Sequence, residues 1–472
     1  MMHKVTYKQK NIAMFIVSIV VFFFLNNHSL LCLDEMATML KMQMSFRDMM
    51  TLLYVEDVHL PAYFILLKVW LSVFGTSVFV ARCFSYIGLL ACAFGGGFMV
   101  KKLYGEKAGI WFAALFLFMP VSFWFARTIR MYSWACFFCT MAFLFAQAAL
   151  LKGEKKDFIL YVVFAFLGAW THYYSSLTCA LIAVAYLVLS FQKDKTLFKK
   201  FFLADTVLFL IVCPQIYIFL HQNTGAIKWP NDEYTLNAYR TYFSDFSLPP
   251  AIEKVVFFMM SGFWVVCAQF LIKNKSETKQ VAITGLAIAL GVYYIAFVAS
   301  FLYRPFLTDR YLTVALGGLF LSFALCIASD KRNEIVFGIL LPVTFFIIVM
   351  TCRGVVSQSI QPDFIEAVRK NVTANDVIIT NDWRSRFLLY YFFPEYDIRT
   401  STFRDIIFKA KLKMIDKKEM LDLIRKKNVF FAGMMEYPCQ EKKNIFVRQW
   451  DEYMGIPFGL TKAIKCDEET VP

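Results

Sequence analysis

The chain offers little to a metal ion or a nucleotide. Its 12 cysteines are scattered, mostly through apolar runs, and its 5 histidines show no ligand spacing, so no zinc site is legible. No GxGxxG and no GxxxxGK[ST] occurs, which removes the usual dinucleotide and phosphate-loop signatures. There is no internal repeat and no low-complexity segment, which argues against solenoids and disordered tails. Charge is also sparse at 18% Asp, Glu, Lys and Arg, and the long apolar runs are nearly free of it, Asp205 being an exception.

What is present is hydrophobic surface. The 472 residues are 59% hydrophobic and include 53 phenylalanines, far beyond the apolar share of a soluble domain. The composition predicts a polytopic α-helical membrane protein. A net charge of +14 would suit a polyanion, but its distribution does not. From Arg353 to the end the net is only +3, with 20 Lys/Arg against 17 Asp/Glu. The excess therefore sits in short loops between apolar runs, which is topology bias and gives no reason to expect nucleic acid. Ten cysteines lie in or beside the runs and read as small core residues. Cys439 and Cys466 fall in the polar tail, where spacing alone does not call for a disulfide.

Eleven apolar runs are expected to cross a membrane: 11–26, 82–100, 108–126, 131–151, 158–171, 174–191, 201–220, 254–272, 281–302, 311–329 and 335–352. The segment 61–74 is too short to span, contains Lys68, and reads as an interfacial or re-entrant helix. With the N-terminus inside, eighteen basic residues fall in cytoplasmic loops and seven in the opposite short loops. No small-residue cleavage site follows the first run, which therefore reads as an uncleaved anchor, and the bias puts the chain after Arg353 outside; a plasma (inner) membrane is expected. The expected domains are a transmembrane domain over 1–352, its first exocytoplasmic loop about 27–81, and an exocytoplasmic domain over 353–472. In the tail, DFIEAVRK, RSRFLLYYFF and KKEMLDLIRKK predict helices, whereas DVIIT, YDIRT and VFFAG predict strands. That alternation predicts a small α/β domain with a mostly parallel sheet.

On this topology the informative polar residues share the outer face. The pair Asp34-Glu35 lies where the first run leaves the membrane, and Asp57 and His59 follow in the same loop. A carboxylate costs about 2.5–3.5 kcal/mol at the centre of a membrane helix, so a pair at the boundary is wet and close to lipid headgroups. Further along come Arg127-Thr128-Ile129-Arg130-Met131-Tyr132, then Thr171-His172-Tyr173-Tyr174, then Thr308-Asp309-Arg310-Tyr311. Arginine suits phosphate because its planar fork donates two parallel charge-assisted hydrogen bonds. Each residue also fits a duller role. Asp34 could cap a helix beginning EMATMLK. Arg130 and Arg310 could snorkel to headgroups, Tyr132, Tyr173 and Tyr311 could belong to an aromatic belt, and His172 could cap a short connection. The six methionines between Met36 and Met50 fit plain packing.

Taken together these residues resemble the membrane-embedded GT-C glycosyltransferases, in the branch holding the protein O-mannosyltransferases and the lipid A aminoarabinose transferase (family 39-type). The matching pieces are Leu33-Asp34-Glu35 for W/L-D-E, His59-Leu60-Pro61-Ala62-Tyr63 for H-P-P-L/A-Y, and Val73-Phe74-Gly75 for L-F-G. They continue with Ala81-Arg82, with Thr128-Ile129-Arg130-Met131-Tyr132 for E-A-R-M-Y, with Thr171-His172-Tyr173 and with Arg310-Tyr311. The likeness covers 30–190 well, 300–330 moderately and the tail in outline. It implies an inverting transferase that takes a sugar from a polyprenyl-phosphate donor on the exocytoplasmic face, with Asp34 as base. The acceptor would be a lipid, a glycan or a protein hydroxyl, and membrane lipids surround the site. His59, Arg130, Tyr132, His172, Tyr173, Arg310 and Tyr311 are then substrate-binding candidates, and Glu35 would orient Asp34 or the acceptor. Leu60 replaces the first proline of the pattern and Thr128 its glutamate, so no cofactor is assigned and a divalent metal ion is left open. A transporter or flippase of polyprenyl-linked glycolipid would instead show charges inside the spans and inverted repeats. A non-catalytic envelope-assembly protein is the third alternative.

Overall fold

The computed structural model describes residues 6–26, 31–55, 57–119, 121–122, 126–222, 250–273, 277–302, 307–355, 361–380, 383–400, 413–414, 417–434, 446–449 and 457–463. Cys439 and Cys466 lie outside those residues, as do Lys228, Arg240 and Arg304, three of the seven basic residues of the outer short loops, and the placement of the Asp309 side chain. The chain divides into two compact units. One comprises Met1–His28 and Leu53–Arg353, the other Ser29–Leu52 and Gly354–Pro472.

The first unit is a helical bundle. It contains α1 (Tyr7–Asn26), and α2 (Leu33–Gln43) and α3 (Phe46–Val55) follow α1 in the chain. Next come α4 (Ala62–Phe74), α5 (Val78–Tyr104), α6 (Glu106–Phe118), α7 (Tyr132–Lys152), α8 (Lys155–Ala169) and α9 (Tyr173–Lys193). The bundle closes with α10 (Lys195–His221), α11 (Pro250–Lys273), α12 (Glu277–Leu302), α13 (Arg310–Ala328) and α14 (Lys331–Val355). Each of the eleven apolar runs overlaps one of these helices. Among the described residues seven are long and apolar enough to cross a membrane. The thirteen-residue α4 is shorter, as its sequence predicts. This is a polytopic helical membrane protein.

Helix ends follow the local chemistry. Gly153, in the left-handed region at φ 69°, stops α7 and lets the chain turn into α8. Gly75 and Gly105, at φ 99° and 93° with ψ of 162° and 170°, end α4 and α5 in an extended conformation of positive φ that glycine alone adopts readily. In the middle of α5, residues Ala91–Gly96 widen into a π-turn where Gly96 packs against the Phe112 ring of α6. Because α7 and α9 finish at lysines, the basic side chains collect at one end of the bundle. There Lys193 Nζ donates to the Leu150 carbonyl (3.0 Å), Lys200 Nζ donates to the Gly153 carbonyl (3.0 Å) and Lys101 Nζ lies 3.9 Å from the Tyr7 ring centroid. The other ends of α7 and α9 begin at Tyr132 and Tyr173, two of the candidate site residues.

The second unit holds α2 and an α/β domain. The latter runs α15 (Gln361–Asn371), β1 (Val377–Thr380), α16 (Trp383–Phe392), β2 (Asp397–Thr400), β3 (Lys413–Met414), α17 (Lys417–Lys426), β4 (Val429–Met434), β5 (Phe446–Gln449) and β6 (Pro457–Lys462). The strand order is β3-β2-β1-β4-β6-β5. The first four strands are parallel, with Ile378 beside both Ile398 and Phe430, and β6 and β5 add an antiparallel edge. All four residues of β1 are buried, as a central parallel strand requires, and Val377, Ile379, Met420, Ile424, Val429 and Phe431 form one core face. Helix α2 packs against α16 inside this unit.

Candidate functional site

The connection before α4 is short and pinned. Pro61 precedes the first turn of α4, where its missing N–H is no loss, and the Ala62 N–H donates to the Trp170 carbonyl (3.2 Å) between α8 and α9. Just upstream, Asp57 Oδ1 accepts from the Val58 N–H (2.6 Å) and pairs with His59 Nδ1 (2.7 Å). The far ring nitrogen, His59 Nε2, lies 2.7 Å from Arg130 Nη2. A guanidinium can only donate, so Nε2 accepts and the proton sits on Nδ1, facing the carboxylate. Asp57 is 2% exposed and Arg130 4%, so this chain of three is inside the protein.

The turn that carries Arg130 is itself held from below. Ser133 Oγ donates to the Ser85 carbonyl (2.6 Å), Ser85 Oγ donates to the Arg130 carbonyl (3.3 Å), and Tyr63 OH lies 3.2 Å from Ser85 Oγ. These bonds tie α4, α5 and the start of α7 together beneath the arginine. Burial therefore excludes the headgroup-snorkelling role for Arg130.

Beside it lies a group of rings. His172 is 4.8 Å from Tyr311, 5.8 Å from Tyr174 and 6.1 Å from Tyr132, centroid to centroid. Tyr311 also stands 5.2 Å from Tyr174 and 6.2 Å from Tyr132. The Arg310 guanidinium lies 5.5 Å from the Tyr311 ring centroid. Tyr132 and Tyr311 are buried, so they do not form a lipid-facing belt. His172 does serve as a cap, its Nδ1 accepting from the Tyr174 N–H (3.2 Å) at the start of α9. Burial drives the His172 pKa well below 6.5, and the charges of Arg130 and Arg310 push it further down. Tyr173 points elsewhere: its hydroxyl donates to Gln222 Oε1 (2.7 Å), and Gln222 Nε2 donates to the Leu53 carbonyl (2.8 Å).

Six of the predicted residues thus meet in the first unit: His59, Arg130, Tyr132, His172, Arg310 and Tyr311. Tyr174 joins them, and its place in the THYY run was the available signal. Asp57 was visible only as one more loop acid, because nothing in a sequence says which residue a histidine two places away will face.

Asp34 and Glu35 belong to the second unit, in the first turn of α2. Glu35, 2% exposed, is the one that holds the helix start: its Oε2 accepts from the Cys32 backbone N–H (3.0 Å). Asp34, half-buried, follows Leu33 inside the helix, and Cys32 occupies the cap position. Residues Glu35 to Lys41 are all buried, including the charged Lys41 at 1% exposure. Among the described residues no three His, Cys, Asp or Glu side chains converge as ligands for a metal ion, and no step below is routed through one.

No family model and no curated protein matches this chain. Solved structures do. ArnT from Cupriavidus metallidurans bound to undecaprenyl phosphate superposes with a TM-score of 0.64 at 12% identity, over 98% of this chain and 98% of that one. The apo state of the same protein gives 0.51 at 13% identity with the same coverage. A match along the whole length, covering both the bundle and the α/β domain, shows that this chain has the fold of ArnT, and its apolar helices make it an integral membrane protein.

Proposed function

We propose that this protein is an inverting glycosyltransferase that moves a sugar from a polyprenyl-phosphate donor to a hydroxyl of a lipid, a cell-envelope glycan or a protein. The observation that carries the reading is the buried arginine, Arg130, oriented by His59, in a ring-lined group that also holds Arg310. That is the equipment for a phosphate leaving group next to an apolar chain. The solved neighbour that shares the fold holds undecaprenyl phosphate, which supports a polyprenyl-phosphate ligand here.

The chemistry is a single displacement. The acceptor oxygen attacks the anomeric carbon from the side opposite the phosphate, its proton passes to the Asp34 carboxylate, and the anomeric C–O bond breaks with its electron pair leaving on polyprenyl phosphate. A positioned base contributes about 10²–10⁴-fold to such a step. Charge develops on the departing phosphate oxygen, where fixed cations in a water-poor site stabilise it best. Arg130 and Arg310 take that role, with Tyr132, His172 and Tyr311 shaping the sugar-binding wall. Glu35 keeps the helix start formed and so fixes the direction of its neighbour Asp34. The site faces the exocytoplasmic side, consistent with lysines at the opposite ends of α7 and α9.

The test uses membranes from cells with wild-type or Asp34→Asn protein and radiolabelled polyprenyl-phosphate sugars. Wild type moves label into a lipid, glycan or protein fraction, and the variant retains donor binding but loses turnover. Label that crosses the membrane without changing its chemical linkage would instead mark a flippase. Substantial turnover by Asp34→Asn removes Asp34 as the base.

A further inference from the structure

We propose that Asp57 is a positioning residue that sets the grip of Arg130 on the donor phosphate by fixing the tautomer of His59. The inference rests on the transferase reading above and goes beyond it, because Asp57 touches neither the sugar nor the phosphate in that scheme.

The pairing of Arg130 with His59 is an uncommon one. Arginine has only donors, and a neutral imidazole has one donor and one acceptor nitrogen. The Arg130–His59 contact at 2.7 Å is a hydrogen bond only while Nε2 carries the lone pair. In water the two neutral tautomers exchange, and the other one would point an N–H at the guanidinium. Asp57 removes that option, because its Oδ1 lies 2.7 Å from Nδ1 and accepts there, at a residue only 2% exposed. The carboxylate is aimed in turn by the Val58 N–H at 2.6 Å. The order is backbone amide, carboxylate, imidazole, guanidinium, each link fixing the next. With Nη2 committed to His59, the plane of the Arg130 fork is set before any phosphate arrives, so less rotamer freedom is lost on binding. That order is not legible from the spacing Asp57-Val58-His59.

Two measurements on the full-length protein in detergent test this separately from the function. In the first, ¹⁵N-histidine labelling reads the His59 tautomer, with the His59→Gln variant assigning its signals. Wild type shows the Nδ1–H form, and Asp57→Leu shifts to Nε2–H or to a mixture. In the second, ³²P-labelled polyprenyl phosphate and its unphosphorylated alcohol are titrated into wild type, Asp57→Leu, Arg130→Ala and the double variant. Asp57→Leu weakens the phosphate form about ten- to a hundred-fold, the range for losing a charge-assisted bond, and leaves the alcohol unchanged. In the Arg130→Ala background the same substitution adds nothing, because its effect runs through the arginine. Asp57→Asn, which keeps a carbonyl for both N–H groups, recovers most of the affinity and serves if Asp57→Leu does not fold. An unchanged tautomer in Asp57→Leu, or equal losses with and without Arg130, overturns the positioning role. A wild type that holds phosphate no better than alcohol overturns the transferase reading and with it the role of Arg130, whatever the tautomer.

Discussion

His172 shows how one side chain can serve packing and chemistry together. It caps α9 through Nδ1, packs among tyrosines, and is buried beside Arg130 and Arg310; burial first and then those two charges keep it neutral. Its folded pKa lies below the unfolded value of 6.5, so the unfolded chain takes up the proton first. The stability this residue supports is complete above pH 6.5 and falls as pH drops below it, by up to about 1.4 kcal/mol per pH unit. Thermal unfolding in detergent between pH 7.5 and 5 should show that loss. His172→Asn, which keeps a cap acceptor but does not titrate, should flatten the profile. A second prediction concerns Arg130→Lys. A single ammonium cannot hold His59 Nε2 and present a planar fork to phosphate, so the KM for the donor should rise about tenfold or more with a smaller change in kcat. Steady-state kinetics at varied donor checks it, and an unchanged KM would take phosphate binding away from Arg130. The residue types at these positions were readable from the sequence, because arginine, histidine and tyrosine gathered in loops of one sidedness. Asp57 was not, since its role depends on a ring orientation that only packing around α4 and α5 determines.

At the scale of helices, α12 and α13 approach closely because each presents a glycine. A methyl at Gly285 would run into the Gly318 carbonyl, and one at Gly317 into the Thr140 side chain of α7. In a bilayer, where apolar side chains gain nothing from leaving lipid for one another, such close approach supplies much of the packing. Gly285→Leu should therefore lower the detergent melting temperature by several degrees or stop the protein accumulating, whereas Gly262→Ala in α11, where the nearest atom to the new methyl is the Phe337 ring at 3.7 Å, should cost little. The existence of the helices was legible throughout, since apolar run length decides it. Three of their ends are set by Gly153, Gly75 and Gly105, which only the backbone angles reveal. The π-turn of α5 was not legible, because it answers a contact between Gly96 and Phe112 that sequence spacing does not encode.

For the molecule as a whole, the notable grouping is that the loop bearing Asp34 belongs to the same compact unit as the α/β domain. Helix α2 packs on α16, whose Ser385, Phe387, Leu388 and Leu389 are buried. Removing the chain beyond residue 353 should strip α2 of that support. Hydrogen exchange of the α2 amides should then accelerate by orders of magnitude and transfer should cease, while the bundle still inserts. Full transfer by the truncated chain would show that α2 holds Asp34 without the domain.

The sequence by itself determined that the chain is a helical membrane protein ending in a small α/β domain, because apolar run length, lysine placement and strand alternation are one-dimensional quantities. It also supplied the chemical types at the site, since few polar residues occur in such a chain and each is conspicuous. Only the tertiary structure decided which acid faces which histidine, that Glu35 and not Asp34 holds the start of α2, and that this helix rests on α16. Those are contacts between segments remote in the chain, set by side-chain shape and by where each buried polar atom finds its partner.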